Sequence, residues 1–319
     1  MQHYDVFNGD ADGICALVQL RRAQPRDAVL VTGVKRDTSL LKQVNAEHGS
    51  QITVLDVSLD KNRSDLERLL AAGAEVFYCD HHFAGDIPQS AQLQTLINPA
   101  ADVCTSLLVN GHLQGAFPSW AVVGTFGDNL RDSALRLARP LGLNLEQLEQ
   151  LEQLGIYINY NGYGPTLEDL HFHPAELYRL LSHYDDPFAF MAAEGEHFQH
   201  LQSGFREDMA AAAALAPEYQ DAAAAIYLLP DAAWARRVSG VFGNDLANND
   251  PDRAHAVVTA RADGNFLVSV RAPLNNKAGA DVLCREFPTG GGRAAAAGIN
   301  ELPAAQLPGF IARIAAFYA

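Results

Sequence analysis

The sequence is short of several things, and each shortage narrows what the chain can be. Its 319 residues include only four cysteines, three methionines and two tryptophans. Cys15, Cys79, Cys104 and Cys284 are far apart and form no C-x-x-C pair. That argues against a disulfide scaffold or a thiolate zinc site, and for small buried thiols in a reducing cytoplasm. No run of about 18 apolar residues occurs, so no transmembrane helix and no membrane partner are expected. Met1-Gln2-His3-Tyr4-Asp5 has no basic region, and Asp5, Asp10 and Asp12 interrupt the first apolar stretch, so no signal peptide is expected. Cationic side chains are scarce too. Lys plus Arg number 23 against 38 Asp plus Glu, a formal net charge of −15. Such a chain should repel long nucleic acid, because sequence-independent binding needs many phosphate-neutralising cations. A short anionic substrate held by a few local cations or metal ions is compatible with it.

What is present is a globular composition, 48% apolar, at a length that favours two domains. Strand-like and helix-like segments alternate from the start. Tyr4–Phe7, Ala28–Thr32, Gln51–Leu55 and Glu75–Cys79 read as strands, with helices after the first and over Leu59–Ala72. The pattern predicts an α/β fold with a parallel sheet and helices on both faces. Residues 145 to 200 read as mainly helical. The alanine-rich stretch Ala210–Ala214 and Ala222–Ala225 reads as a connecting helix. Ile226–Leu229 is then a strand, Ala232–Leu246 a helix, and His255–Ala260 with Phe266–Val270 a hairpin around Asp263-Gly264-Asn265. The expected division is 1–200, a helical linker over 201–222, and a smaller α/β domain over 223–319.

Acidic residues recur at one topological position. Asp10-Ala11-Asp12-Gly13 ends the first strand, Asp56 follows the third, and Asp80-His81-His82 follows the fourth. Asp128 ends another apolar segment, Trp120–Phe126. Taken singly, the aspartates read best as turns or helix caps, and His81-His82 as surface or satisfied polar core. Together they send carboxylates toward one sheet edge, where open α/β sheets bind ligands. Two carboxylates ~4 Å apart repel by roughly 4 kcal/mol at an effective dielectric near 20, so converging ones take up protons or bind divalent cations. Oxygen ligands with one imidazole and no thiolate suit two divalent ions, Mn²⁺ first, with Mg²⁺ or Co²⁺ as alternatives. A pair ~3.5–4 Å apart, bridged by a carboxylate and a water, suits phosphoryl hydrolysis by an activated hydroxide.

These motifs resemble the DHH phosphoesterase superfamily, which includes RecJ-like exonucleases, nanoRNases and family II pyrophosphatases. The triplet is Asp80-His81-His82, the first motif Asn8-Gly9-Asp10-Ala11-Asp12-Gly13, with Asp56 and Asp128 in the second and fourth. Phe287–Gly298 is similar to the glycine-rich signature of the DHH-associated C-terminal domain. The resemblance implies a DHH catalytic domain over 1–200 and a substrate-binding domain over 223–319. It also implies that Asp10 and Asp56 hold one metal, and Asp12, Asp56, His81 and Asp128 the other. His82, beside Asp80, would contact phosphate or protonate the leaving group. Arg271, Arg293 and the backbone of Gly290, Gly291 and Gly292 would grip a terminal phosphate. Two positions depart from the family. Asn8 stands where His is usual, which makes for a poorer first-metal ligand, and Arg293 replaces a His, trading proton donation for bidentate phosphate contact.

Lys35-Arg36 reads either as a solvated basic turn, the simpler reading, or as a pair facing the phosphates, and Asn275, with Asn276 and Lys277, as a base or ribose contact or plain loop. His171 and His173 flank Phe172 at a helix start, where packing or capping is expected. The expected activity is a metal-dependent phosphodiesterase acting on very short oligonucleotides or linear dinucleotides, such as pGpG or nanoRNA, and releasing mononucleotides. Rivals are a pyrophosphatase or short-chain polyphosphatase, and a nucleotide-binding sensor with impaired catalysis. A homodimer is compatible with the resemblance.

Overall fold

Apolar residues at every second position, on strands too short to be helices, set up the first sheet. The structure, a computed structural model, describes residues 2–319. Its N-terminal half begins β1 (His3–Phe7), α1 (Ala11–Ala23), β2 (Val29–Val31), β3 (Gln51–Leu55), α2 (Leu59–Ala71), β4 (Glu75–Asp80) and β5 (Leu93–Ile97). Helices follow: α3 (Thr105–His112), α4 (Pro118–Gly127), α5 (Arg131–Ala138), α6 (Leu145–Asn161), α7 (Pro174–Leu181), α8 (Pro187–Ala193) and α9 (Gly195–Ala213). The remainder comprises β6 (Tyr219–Gln220), β7 (Ala224–Leu229), α10 (Ala233–Asn249), β8 (Ala254–Ala260), β9 (Asn265–Arg271), α11 (Ala280–Arg285), β10 (Gly290–Arg293), β11 (Ala296–Pro303) and α12 (Leu307–Tyr318). The chain divides into two units, 1–203 and 204–319, with the division inside α9. Among the described residues no helix is long and apolar enough to cross a membrane.

The first unit holds a five-stranded parallel sheet in the order β2-β1-β3-β4-β5. Both faces are covered, as the sequence pattern predicts. Val6, Ile52, Val54, Val76 and Tyr78 form one buried cluster with Leu66 and Leu69 of α2. On the other face Asp5 of β1 meets Arg21 of α1, whose guanidinium also donates to Thr53 of β3 at 2.8 Å. The chain leaves β1 toward β2 and then returns to β1's other side as β3. That reversal makes a crevice at the carboxyl ends of β1 and β3.

The apolar segment Trp120–Phe126 is the interior of α4, buried throughout behind Pro118 in its first turn. Asp128 is therefore presented by a helix C-cap. One sequence reading is corrected: Ala222–Ala225 is not helical. The Asp221 carboxylate accepts the N–H groups of Ala223 and Ala224, each at 2.8 Å, and Ala224 then enters β7 beside β8. This turn chemistry and the strand pairing override alanine's helix preference.

The second unit is a mixed sheet, β10-β11-β9-β8-β7-β6, with β8 and β9 antiparallel around the expected turn. Ile226, Val258, Val268, Val270 and Ile299 form its core with Phe310 and Ile314 of α12.

Candidate active site

The site starts with the loop between β1 and α1. Asp10 is the N-cap of α1, its Oδ1 accepting from the Gly13 N–H at 3.1 Å. The capping reading is thus correct for Asp10, and it fixes the carboxylate at the crevice. Gly9 is required by a close approach: a Cβ there would lie 2.0 Å from the carbonyl oxygen of Gly33. Asp12, fully buried in the first turn of α1, accepts the N–H groups of Thr105 and Ser106 at 2.7 and 2.6 Å. It therefore caps the N-terminus of α3 from outside that helix, where partial positive charge favours a carboxylate.

Asp56 follows β3 in a left-handed backbone conformation, φ 59°. Asp and Asn tolerate this region better than other non-glycine residues, and such strain gathers at functional sites. Its Oδ1 accepts from the Thr105 hydroxyl at 3.3 Å and lies 3.3 Å from His81 Nε2. His81 Nδ1 contacts the carbonyl oxygen of Val103 at 3.0 Å. A carbonyl only accepts, so Nδ1 carries the proton and Nε2 is left free to bind a cation. That nitrogen also lies 3.8 Å from Asp128 and 3.9 Å from Asp12. One ligand atom each from Asp12, His81 and Asp128 lie within 4.8 Å of one another, and the same holds for Asp56, His81 and His82. Buried carboxylate oxygens around one unprotonated imidazole nitrogen fit a divalent cation such as Mn²⁺ or Mg²⁺.

The last member of the triplet does something else. His82 Nδ1 bonds Asp80 Oδ1 at 2.7 Å, while its side chain stays 43% exposed. Asp80 is fully buried at the end of β4, and its Oδ2 has no hydrogen-bond partner among the described residues. A buried carboxylate behind an accessible imidazole orients that ring and favours its protonated form. The hydrogen bond that His82 donates to Asp80 accordingly raises the His82 pKa above the ordinary 6.5, against the effect of burial.

Electrostatics divide the carboxylates. Burial, then the charges of Asp10, Asp12, Asp128 and Asp80, push Asp56 well above the carboxylate range. Burial, then Asp12 and Asp10, push Asp128 up to about 8 despite Lys35 and His82. Asp10 goes the other way. Burial would raise it, but the Lys35 ammonium, its hydrogen bond and that of Gly13 hold it below the usual range.

Lys35 is the residue that the sequence reading underrated. Its Nζ donates to Asp10 Oδ2 at 2.5 Å and Asn159 Oδ1 at 2.8 Å, and lies 3.9 Å from Asp128. Burial opposes its charge, yet the attraction of Asp10 keeps its pKa well above the ordinary lysine value. The solvated-turn reading is therefore wrong for Lys35; Arg36 beside it is exposed. Asn8 is committed to the backbone, its Oδ1 accepting from the Asp10 N–H at 3.2 Å and its Nδ2 donating to the Lys35 carbonyl at 3.3 Å. Asn159, Thr105 and Ser106 carried no motif in the sequence. His173 caps α7, its Nδ1 accepting from the Ala175 N–H.

The other predicted residues lie in the second unit. Arg271, at the end of β9, donates to Asn244 Oδ1 at 2.6 Å, Ser269 Oγ at 2.9 Å and the carbonyl oxygens of Val270 and Gly240. Asn275 bonds Asp252 at 2.6 Å. Gly290, Gly291 and Gly292 form β10, an edge strand, with exposed Arg293 at its end. Gly292 has φ 144°, and a Cβ there would lie 2.5 Å from Cα of Ala297, so only glycine fits.

No protein-family model and no curated protein matches the sequence. Solved structures do match. A manganese-bound RecJ exonuclease superposes with a TM-score of 0.65 at 20% identity, over 99% of this chain and 90% of that one. The DHH domain of a member of a family of ribosomal proteins gives 0.61 at 14% identity, over 99% and 86%. The pGpG-specific phosphodiesterase PggH of Vibrio cholerae gives 0.55 at 13% identity, over 99% of both chains. The chain therefore has the fold of the DHH-domain proteins, end to end.

Proposed function

We propose that the protein is a divalent-metal-dependent phosphodiesterase that hydrolyses linear dinucleotides and very short oligonucleotides to mononucleotides. The observation that carries this reading is the meeting of Asp12, Asp56, His81 and Asp128 beside the Asp80–His82 pair. Asp12, Asp56, His81 and Asp128 would hold the ion, for which Mn²⁺ is the leading candidate. A divalent ion there would supply Lewis acidity toward a phosphoryl oxygen and lower the pKa of water. His82, raised in pKa and accessible, would donate a proton to the leaving oxygen, with Asp80 holding the ring in the required tautomer. The Lys35 ammonium would offset charge that builds on phosphate oxygens. In the second unit, exposed Arg293, the glycine edge strand, Arg271 and Asn275 are candidate phosphate contacts, and exposed Arg36 is another in the first unit. The net charge of −15 supports a short substrate over a long strand. The likeness to a pGpG-specific phosphodiesterase supports the same choice.

The test is a substrate panel with Mn²⁺: linear dinucleotides, longer RNA, cyclic dinucleotides and pyrophosphate. Linear dinucleotides should be turned over fastest, and chelation should abolish turnover. Hydrolysis of pyrophosphate alone, or of long RNA at equal efficiency, would reject the proposal.

A further inference from the structure

We infer that Lys35 is a built-in cation that excludes a second metal ion, so the centre takes one divalent ion per chain. This rests on the metal-dependent reading above. Four carboxylates converge, which alone would suit a pair of ions, but one end of the cluster is already neutralised. The Lys35 ammonium sits 2.5 Å from Asp10 Oδ2, and the other oxygen of Asp10 caps α1. An ammonium has no lone pair and cannot ligate a metal. A divalent ion at Asp10 would have to displace it against like charge.

The placement is built in at four points. The Lys35 N–H donates to the Gly162 carbonyl at 2.9 Å, and its own carbonyl accepts from Asn8 Nδ2. Its Nζ is shared between Asp10 and Asn159, and Asn159 Nδ2 in turn donates to the Tyr163 hydroxyl at 3.3 Å. Asn8 thus spends its amide holding the Lys35 loop and the Asp10 backbone instead of facing a cation. A second observation agrees: among the described residues, the two groups of His and carboxylate side chains spaced to hold an ion comprise Asp12, Asp56, His81, His82 and Asp128, without Asp10. Asn8 and Lys35 therefore act as a pair, one a clamp and the other the charge it places.

The experiment counts ions and needs no turnover. Wild type, Lys35→Arg, Lys35→Met and the Asn8→His/Lys35→Met double variant are loaded with Mn²⁺ and desalted. Bound manganese is measured by elemental analysis and its coupling by electron paramagnetic resonance, with circular dichroism to confirm folding. Wild type and Lys35→Arg should carry one uncoupled ion, and the double variant two spin-coupled ions. Two coupled ions in wild type would overturn the inference, as would a folded double variant that stays at one. No bound ion in wild type would instead reject the metal-dependent reading on which the inference rests.

Discussion

Without divalent ions, the protein should lose stability as pH rises from about 5 to about 8, the reverse of the usual behaviour of paired carboxylates. Asp128 moves from 3.8 to about 8 on folding, chiefly through burial and then through Asp12 and Asp10. Between those values the folded protein keeps a proton that the unfolded chain has released, so each step up in pH favours unfolding. Each pH unit is worth about 1.4 kcal/mol, so the interval from 3.8 to about 8 sets a ceiling of roughly 6 kcal/mol. Asp56, raised for the same reasons, acts in the same direction. So does His82, whose raised pKa contributes stability that is complete below 6.5 and lost as pH passes its folded value. For a unit spanning residues 1–203, 1 kcal/mol shifts Tm by about 2–4 °C, so a fall on the order of 10 °C is expected. Thermal unfolding in chelator across this pH range measures it. Saturating Mn²⁺ should lessen the fall, because bound carboxylates stay ionised, and Asp128→Asn should lessen it without metal, leaving the share of Asp56 and His82. A Tm that is level or rises with pH in chelator, in wild type, would refute the reasoning.

Other expectations follow from single contacts. Asp56→Asn should retain the fold, since Asn accepts the left-handed backbone, while lowering Mn²⁺-dependent turnover by roughly 10²-fold or more. Asp56→Ala should lose the same turnover and also about 1 kcal/mol of stability, read by chemical denaturation. Turnover by wild type should fall as pH rises through the raised His82 value. Asp80→Asn, which puts a neutral amide in place of the carboxylate behind the ring, should shift that limb toward acid in a pH–rate profile. Arg21→Met should cost about 3–5 kcal/mol in urea unfolding, because it leaves the buried Asp5 carboxylate unpaired far from the chemistry.

Much of this centre was legible in the sequence because its acidic residues follow β-strands whose alternation and length are unambiguous. Asp10, Asp56 and Asp80-His81-His82 sit where β1, β3 and β4 end, so finding the strands placed the residues. Asp128 was legible only as the end of an apolar segment, because without a polar face the period of α4 cannot be told from that of a buried strand. β5 was missed because Gln94 and Thr95 break its apolar run, and its pairing with β4 decides its conformation. Thr105, Ser106 and Asn159 act through hydrogen bonds to residues distant in sequence, which no local pattern encodes. Lys35 shows the limit most clearly. A lysine after a strand is ordinarily solvated, and only the Asn8 and Gly162 contacts on its loop turn it inward.

The most direct test of the account is an anomalous-scattering map from crystals of the protein grown with Mn²⁺. The account predicts a manganese peak coordinated by Asp12, Asp56, His81 Nε2 and Asp128, with Lys35 still bonded to Asp10. A peak elsewhere on the surface, or none at saturating Mn²⁺, would contradict it.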